Sequence, residues 1–113
     1  FMDNDIKTWF YDILQSINEI ESYYEDKPKR FKEFVADIKT KRAVERNLEI
    51  IGEAVNRILK KDKNFQLKNA EKIIGTRNRI IHGYDKVSGD LIWSIVINHL
   101  PKLKTEVENL LSK

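Results

Sequence analysis

Hydrophobic residues recur along this chain at steps of three and four, which is the spacing of one face of an α-helix. The first such stripe covers roughly residues 5 to 25 and consists of Ile6, Trp9, Phe10, Ile13, Leu14, Ile17, Ile20 and Tyr24. Asp3 to Asp5 precede it as candidate N-caps. The aromatic rings of this stripe also resemble a stacking surface for nucleobases. Since rings at helical spacing are far more often buried, we interpret them as core residues.

The pattern after Pro28 predicts one short helix and three longer ones. The short helix carries Phe31, Phe34, Val35 and Ile38, and the longer ones begin near residues 40, 69 and 90. The helix that begins near residue 69 is predicted to bury Ile73, Ile74, Ile80 and Ile81. Pro101 is expected to break or kink the last of the longer helices. The sequence contains no strand-like alternation. The predicted fold is therefore all-α, a single domain over residues 1–113 built as an antiparallel helical bundle of about four long helices plus a short one.

The long helix that begins near residue 40 contains two features that call for a partner. Gly52 lies in its interior and weakens it by about 1 kcal/mol relative to alanine. We expect another helix, from the same chain or from a second subunit, to approach this glycine closely. Glu45, Glu49 and Glu53 share one face at four-residue spacing. No histidine stands at ligand spacing among them, so we predict ion pairs with nearby arginines rather than a metal site.

Composition narrows the classes of function. The chain has 113 residues, a formal net charge of +3 and no cysteine, which excludes disulfides, thiolate metal sites and thiol catalysis. The mild positive charge is compatible with a polyanionic partner. The start of the chain lacks the basic end and apolar run of a secretory signal. No apolar stretch approaches the roughly 20 residues that a membrane span needs, so we expect a cytoplasmic protein.

The candidate chemistry is concentrated in residues 77 to 84, Arg-Asn-Arg-Ile-Ile-His-Gly-Tyr. His82 can exchange a proton near neutral pH, and Arg77 offers a fork of donors that matches phosphate oxygens. Five residues rotate an ideal helix by roughly 140°, so these two side chains would not share a face. Two arrangements would bring them together. Gly83 can end the helix and let His82 turn away, or a second copy can complete the site in a dimer.

Arg77-x4-His82-x-Tyr84, with Asn78 directly after the arginine, resembles the signature of HEPN-domain ribonucleases of the HepT type. These are toxins paired with MNT-type nucleotidyltransferase antitoxins. Residues 42–54 are similar to the central helix of that family, and residues 90–93 and 100–103 are similar to its C-terminal segment. The resemblance implies a HEPN-like homodimer. It also implies a metal-independent endoribonuclease without a cofactor, belonging to a type II/VII-like toxin–antitoxin pair.

The resemblance implies a role for each residue of the motif. Arg77 and His82 would be catalytic, promoting attack of the ribose 2′-hydroxyl on the neighbouring phosphorus of an RNA substrate. From its position we expect Asn78 to orient His82 or to bind substrate. Arg79 is two positions from Arg77 and faces elsewhere on an ideal helix, so we expect it to contact only the RNA backbone. The nucleotidyltransferase partner would transfer AMP to Tyr84 and so silence the enzyme, because the added negative charge and bulk would compete with RNA.

Structural alternatives remain for the same residues. Arg77 could pair with a glutamate of the preceding helix, and Asn78 could be a surface amide. Tyr84 could be a core ring or a base-stacking surface. His99 has no adjacent cation or base, and we interpret it as a structural residue near a kink. The alternative function is a non-catalytic helical binding partner, or substrate-presenting subunit, of a nucleotidyltransferase, and the simplest is a helical dimerisation module.

Overall fold

A computed structural model describes residues 2–83 and 89–113, and these residues form helices joined by turns and short loops. The elements are α1 Asn4–Ser22, α2 Phe31–Ala36, α3 Ile38–Lys61, α4 Ala70–Gly83, α5 Gly89–Ser94 and α6 Leu100–Leu111, with a π-helical turn Ile95–His99 between α5 and α6. No strand occurs within the described ranges. The predicted all-α fold is confirmed, with α1, α3, α4 and the α5–α6 segment as the long helices and α2 as the short one.

α1 and α3 lie antiparallel, and polar contacts at both ends fix this arrangement. Asp3 caps α1, because its Oδ1 accepts a hydrogen bond from the backbone N–H of Asp5 at 2.8 Å. Lys61, the last residue of α3, places its Nζ 2.7 Å from Asp5 Oδ2. At the opposite end the Tyr23 hydroxyl donates to Asn47 Oδ1 at 2.7 Å. The start of α1 therefore meets the end of α3, which aligns the apolar stripes of the two helices.

The core forms where the apolar faces of α1, α3, α4 and the α5–α6 segment meet. Its completely enclosed side chains include Phe10, Ile13, Val44, Ile51, Val55, Ile58, Ile92, Leu103 and Val107. Burying one such side chain contributes roughly 1.5–3 kcal/mol of transfer free energy. Phe10 also makes an edge-to-face contact with Phe65 at 5.5 Å between ring centroids. The core interpretation of Phe10 is confirmed.

Two details of the last two long helices differ from the sequence pattern. Ile81 was expected to be buried, but its side chain is 38% exposed, whereas Ile73 and Ile80 are buried. The chain stays helical through Pro101, which lies in the first turn of α6 directly after the π-helical turn. A proline costs little in a first turn because its missing N–H would have no intrahelical partner there. None of the described helices combines the length and apolarity needed to cross a bilayer.

Candidate active site on the fourth helix

Gly52 determines how closely α4 lies against α3. A Cβ atom built on Gly52 would lie 2.4 Å from Arg77 Cβ and 2.8 Å from Arg77 Cγ. It would also lie 3.3 Å from the carbonyl oxygen of Ile73. Any side chain at position 52 would therefore displace α4. The predicted close approach to this glycine is confirmed, and the approaching helix belongs to the same chain.

The same contact positions the guanidinium of Arg77. Its Nη2 donates to Glu53 Oε2 at 2.5 Å, and its Nη1 donates to Asn78 Oδ1 at 3.0 Å. The Arg77 side chain is only 24% exposed. Its Nε is buried and has no hydrogen-bond partner among the described residues. The predicted structural ion pair of Arg77 is thus present, with Glu53, and part of the donor fork remains unused.

His82 belongs to the exposed side of α4, together with Asn78 and Arg79. α4 continues to Gly83, so His82 keeps its helical register and does not turn away. The 140° offset from Arg77 therefore persists within one chain. Asn78 lies one helical turn before His82 and is its neighbour on the helix surface. Because Asn78 accepts the Arg77 hydrogen bond, it links the arginine to the face that carries His82.

Two grooves flank α4. The α3–α4 groove has a volume of about 320 Å³ and is lined by Trp9 and Asp12 of α1, by Arg46, Glu49, Ile50, Glu53, Ala54 and Arg57 of α3, and by Arg77 and Ile81 of α4. The α4–α5 groove, of about 460 Å³, lies on the other side of α4 and includes Arg79. The structure therefore separates Arg77 from Arg79, as their two-residue spacing suggested, and His82 lines neither groove.

The glutamates of α3 form ion pairs, as predicted. Glu45 pairs with Arg42 at 3.3 Å, Glu49 pairs with Arg46 at 3.3 Å, and Glu53 pairs with Arg57 at 3.0 Å in addition to Arg77. No group of three or more metal-ligating side chains occurs among the residues described. The carboxylates of α3 thus anchor arginines, and Glu53 in particular holds the arginine of the motif.

His99 ends the π-helical turn, and its ring is partly buried. Its Nδ1 lies 2.6 Å from Asn69 Oδ1, which joins the end of the π-helical turn to the residue before α4. Burial lowers the pKa of His99 first, and the positive charges of Lys72 and Lys102 lower it further. His99 also lines the α4–α5 groove with Lys72. Sequence reasoning missed this grouping, although the spacing of positions 72, 76 and 79 on one helix face was available to suggest it.

Tyr84, the predicted AMP acceptor, lies outside the described residues. Its predicted modification and its predicted alternatives therefore stay predictions. The same holds for the pairing of two copies of the chain, because the structure contains one chain. The residues that can be placed are Arg77, Asn78, Arg79 and His82, and of these Arg77 and Asn78 are joined by a hydrogen bond.

Comparison with known proteins agrees with the family resemblance. The family model described as "Ribonuclease HepT-like" matches residues 13–110. A protein of Methanocaldococcus jannaschii that carries the name "Putative RNase" is 38% identical over 106 residues, covering 92% of this chain and 94% of its own length. The "Probable ribonuclease HepT" of Thermococcus cleftensis is 33% identical over 113 residues, covering 96% and 98%. No solved structure matches the chain.

Proposed function

Because this chain belongs to the HepT-like ribonuclease family, we propose that it is a metal-independent endoribonuclease toxin whose catalytic helix is α4. The family is one of RNA-cleaving enzymes, so the chain is an endoribonuclease, and RNA is its substrate class. The metal independence and the roles of single residues are our proposal. Its main structural support is the hydrogen bond from Arg77 to Asn78, which brings a phosphate-binding fork to the edge of the face that carries His82.

The proposed reaction needs one base, one acid and a cation. The ribose 2′-oxygen attacks the adjacent phosphorus, its proton passes to His82, and the bond from phosphorus to the 5′-oxygen breaks. The leaving 5′-oxygen takes up a proton, so the products are a cyclic phosphate and a 5′-hydroxyl. Arg77 donates to the non-bridging oxygens, whose negative charge grows in the transition state, and such electrostatic help is commonly the largest contribution.

A homodimer would supply the second proton-transfer group. One His82 cannot easily act as base and acid in a single pass, whereas two copies related by a two-fold axis can divide these roles. The partly exposed Ile81 and the half-buried Ile50 in the α3–α4 groove offer apolar surface for such a contact next to the motif. A fully active monomer, established by sedimentation at the assay concentration, would contradict this part of the proposal.

The toxin–antitoxin part of the proposal concerns Tyr84 and a nucleotidyltransferase partner. Tyr84 follows His82 by two residues in the sequence. AMP attached to its hydroxyl would add a phosphodiester charge close in sequence to the catalytic residues and would compete with RNA for cations. The alternative function, a non-catalytic partner of a nucleotidyltransferase, requires the same tyrosine to be accessible. The two functions differ in whether the free protein cleaves RNA.

The decisive experiment is cleavage of a labelled RNA in EDTA by the wild type and by His82→Ala, purified identically without the nucleotidyltransferase. We expect a loss on the order of 10²–10⁴-fold in the variant, the range for removal of a general acid–base group. Substrate with a single 2′-deoxy nucleotide at the cut site should resist the wild type. Lys7→Ala, an exposed change on α1, is the matched control.

Each outcome of this experiment bears on one function. Equal cleavage by wild type and His82→Ala would reject His82 as the catalytic group. An inactive wild type, shown by intact mass to carry no AMP on Tyr84 and tested on several RNAs, would favour the binding-partner function. Cleavage by the wild type alone, undiminished in EDTA, would establish both the role of His82 and the independence from metal ions.

A further inference from the structure

The α4–α5 groove has the chemical character of an anion-binding site. Its polar lining comes from Lys72, Thr76 and Arg79 of α4, from Ser94 at the end of α5 and from His99 at the end of the π-helical turn. Leu91 and Ile95 form its apolar wall. No carboxylate lines it among the residues that the structure describes. The groove of about 460 Å³ therefore presents positive charge and hydroxyl groups beside an apolar wall.

The two basic side chains of this groove, Lys72 and Arg79, have no partner in residues 2–83 and 89–113. Neither the Lys72 ammonium nor the Arg79 guanidinium has an ion pair or a side-chain hydrogen bond within the described part of the chain. On α3, by contrast, Arg46 and Arg57 both pair with a glutamate. Burial lowers the pKa of His99, which lines the same groove, and the positive charges of Lys72 and Lys102 lower this pKa further. An anion would relieve this uncompensated charge.

The remaining polar groups suit a sugar–phosphate chain. Asn69 Oδ1 lies 2.6 Å from His99 Nδ1, and if it accepts the Nδ1 proton, the neutral ring keeps Nε2 as an acceptor for a ribose hydroxyl. Ser94 Oγ is 3.4 Å from Asn98 Nδ2, from which it accepts, so its own proton is free to be donated to an anion. A phosphate with an adjacent hydroxyl matches this set of donors and acceptors.

Space is available as well. A Cβ atom built on Gly75 would have no non-local heavy atom within 4 Å, so the side of the groove at Gly75 is open. Arg79 precedes His82 by three residues, and side chains at this separation are neighbours about 5–6 Å apart on a helix surface. A strand that presents one phosphate to His82 can therefore present a neighbouring phosphate to Arg79.

We propose that the α4–α5 groove is a subsite for the phosphodiester backbone of single-stranded RNA, next to the bond that is cleaved. Lys72, Arg79 and Ser94 bind the phosphate, and His99 contacts the ribose. This proposal rests on the proposed ribonuclease function, because it places the groove on the path of the same strand. It assigns Lys72 and His99 to substrate binding, and it places Arg79 on the opposite side of α4 from Arg77.

The test measures binding without cleavage. In a His82→Ala background, a fluorescein-labelled single-stranded RNA of mixed sequence is titrated with Lys72→Ala/Arg79→Ala and with the matched control Lys29→Ala/Lys32→Ala. The control removes two exposed charges between α1 and α2 and in α2. We expect the groove variant to bind about tenfold more weakly or worse, and its salt slope to fall by about 0.7, because both cations bind one phosphate. The control should stay near the parent in both quantities.

A second variant tests the groove without changing charge. Gly75→Leu fills the open side of the groove with a side chain that suits a helix, so the protein should fold and both cations remain. We expect this variant to bind RNA more weakly than the His82→Ala parent, although no charge has been removed. Equal losses of RNA affinity in the Lys72→Ala/Arg79→Ala variant and in the lysine control would overturn the subsite. RNA binding that is unchanged in both Gly75→Leu and Lys72→Ala/Arg79→Ala would also overturn it. If wild-type protein fails to cleave RNA but binding still depends on the groove, the proposed function falls, and the groove stands as an RNA-binding site without a cleaved bond beside it.

Discussion

The two grooves that flank α4 both contain cations but differ in how these are compensated. In the α3–α4 groove, Arg46, Arg57 and Arg77 each contact a glutamate of α3. In the α4–α5 groove, Lys72 and Arg79 contact no carboxylate of the described residues. A paired guanidinium is well positioned and can still donate its unused N–H groups to a phosphate in contact with it, but its attraction for distant anions is weakened. An unpaired cation attracts anions from a distance. One side of α4 therefore carries an arginine held in a fixed position, and the other side carries cations that attract anions.

The division predicts different kinetic defects for two arginines two residues apart. If Arg77 acts as proposed, Arg77→Ala should lower kcat by on the order of 10²–10³-fold, because it removes the donor that stabilises charge developing in the transition state. Arg79→Ala should mainly raise KM, because it removes attraction for the bound strand. Steady-state cleavage of one labelled RNA over a range of concentrations measures both constants.

Arg57→Ala is the control for this pair, since it also removes a contact to Glu53 but lies on α3. It should leave kcat much closer to the wild type than Arg77→Ala does. The comparison between the grooves would fail if Arg77→Ala changed KM alone, or if Arg79→Ala lowered kcat at saturating RNA.

Substitutions at two glycines compare the packing on the two sides of α4, and their expected effects are smaller than those on catalysis. Gly52→Ala should destabilise the fold by about 1–3 kcal/mol, because the new methyl overlaps the stem of Arg77 and outweighs the gain of about 1 kcal/mol in helix propensity. Gly75→Ala adds the same methyl in open space and should stabilise the fold by up to about 1 kcal/mol. Urea unfolding followed by circular dichroism measures both changes.

The comparison requires that Gly52→Ala and Gly75→Ala change the free energy of unfolding in opposite directions. Destabilisation by Gly75→Ala would mean that the side of the α4–α5 groove at Gly75 is not open. A neutral Gly52→Ala with unchanged cleavage would mean that α4 does not depend on this contact for its position.

The smallest effect concerns His99 and pH. Its pKa in the folded chain lies below the ordinary value of 6.5, through burial first and then through Lys72 and Lys102. As pH falls, His99 therefore becomes protonated in the unfolded chain before it does so in the folded chain. The stability that neutral His99 contributes is present above about pH 6.5 and is lost as pH falls through the pKa of the folded chain. Relative to His99→Gln, the wild type should lose unfolding free energy between about pH 7.5 and pH 5.

The same histidine reports on the charge of the groove. In a His82→Ala background His99 is the one remaining histidine, because the chain has two. Lys72→Ala should raise the pKa of His99 towards its ordinary value in an NMR titration of the ring protons, since a positive neighbour is removed. An unchanged or lowered pKa would show that Lys72 does not act on this side of α4.

Periodicity was sufficient to predict the helices because each one buries a single stripe. It also predicted the approach to Gly52, since a glycine in a helix interior calls for a compensating neighbour. It did not identify that neighbour as Arg77, because spacing within one helix does not determine which side chain of another helix lies against it. Ile81 was assigned to the core for a related reason, since a pair of adjacent isoleucines does not reveal which member faces inward.

The candidate site was predicted unevenly. The pairing of Arg77 with an α3 glutamate and the divergence of Arg77 and Arg79 both followed from helical geometry. The contribution of Lys72 and His99 to one groove did not follow, because it joins residues 27 positions apart through the packing of α4 against the π-helical turn. The helical accommodation of Pro101 was equally hidden, since a proline in a first turn and one in a helix interior look alike in sequence.

The close packing of the Arg77 side chain against Gly52 affects the entropy of substrate binding. A free arginine side chain gives up about 1.5–2 kcal/mol of rotamer freedom when it is immobilised. Here the stem lies against the α3 backbone and the head is held by Glu53 and Asn78, so much of this freedom is lost when the chain folds. On the proposed mechanism, RNA would then bind an arginine that is already ordered. The cost of that order falls on the stability of the bundle rather than on the affinity for each substrate.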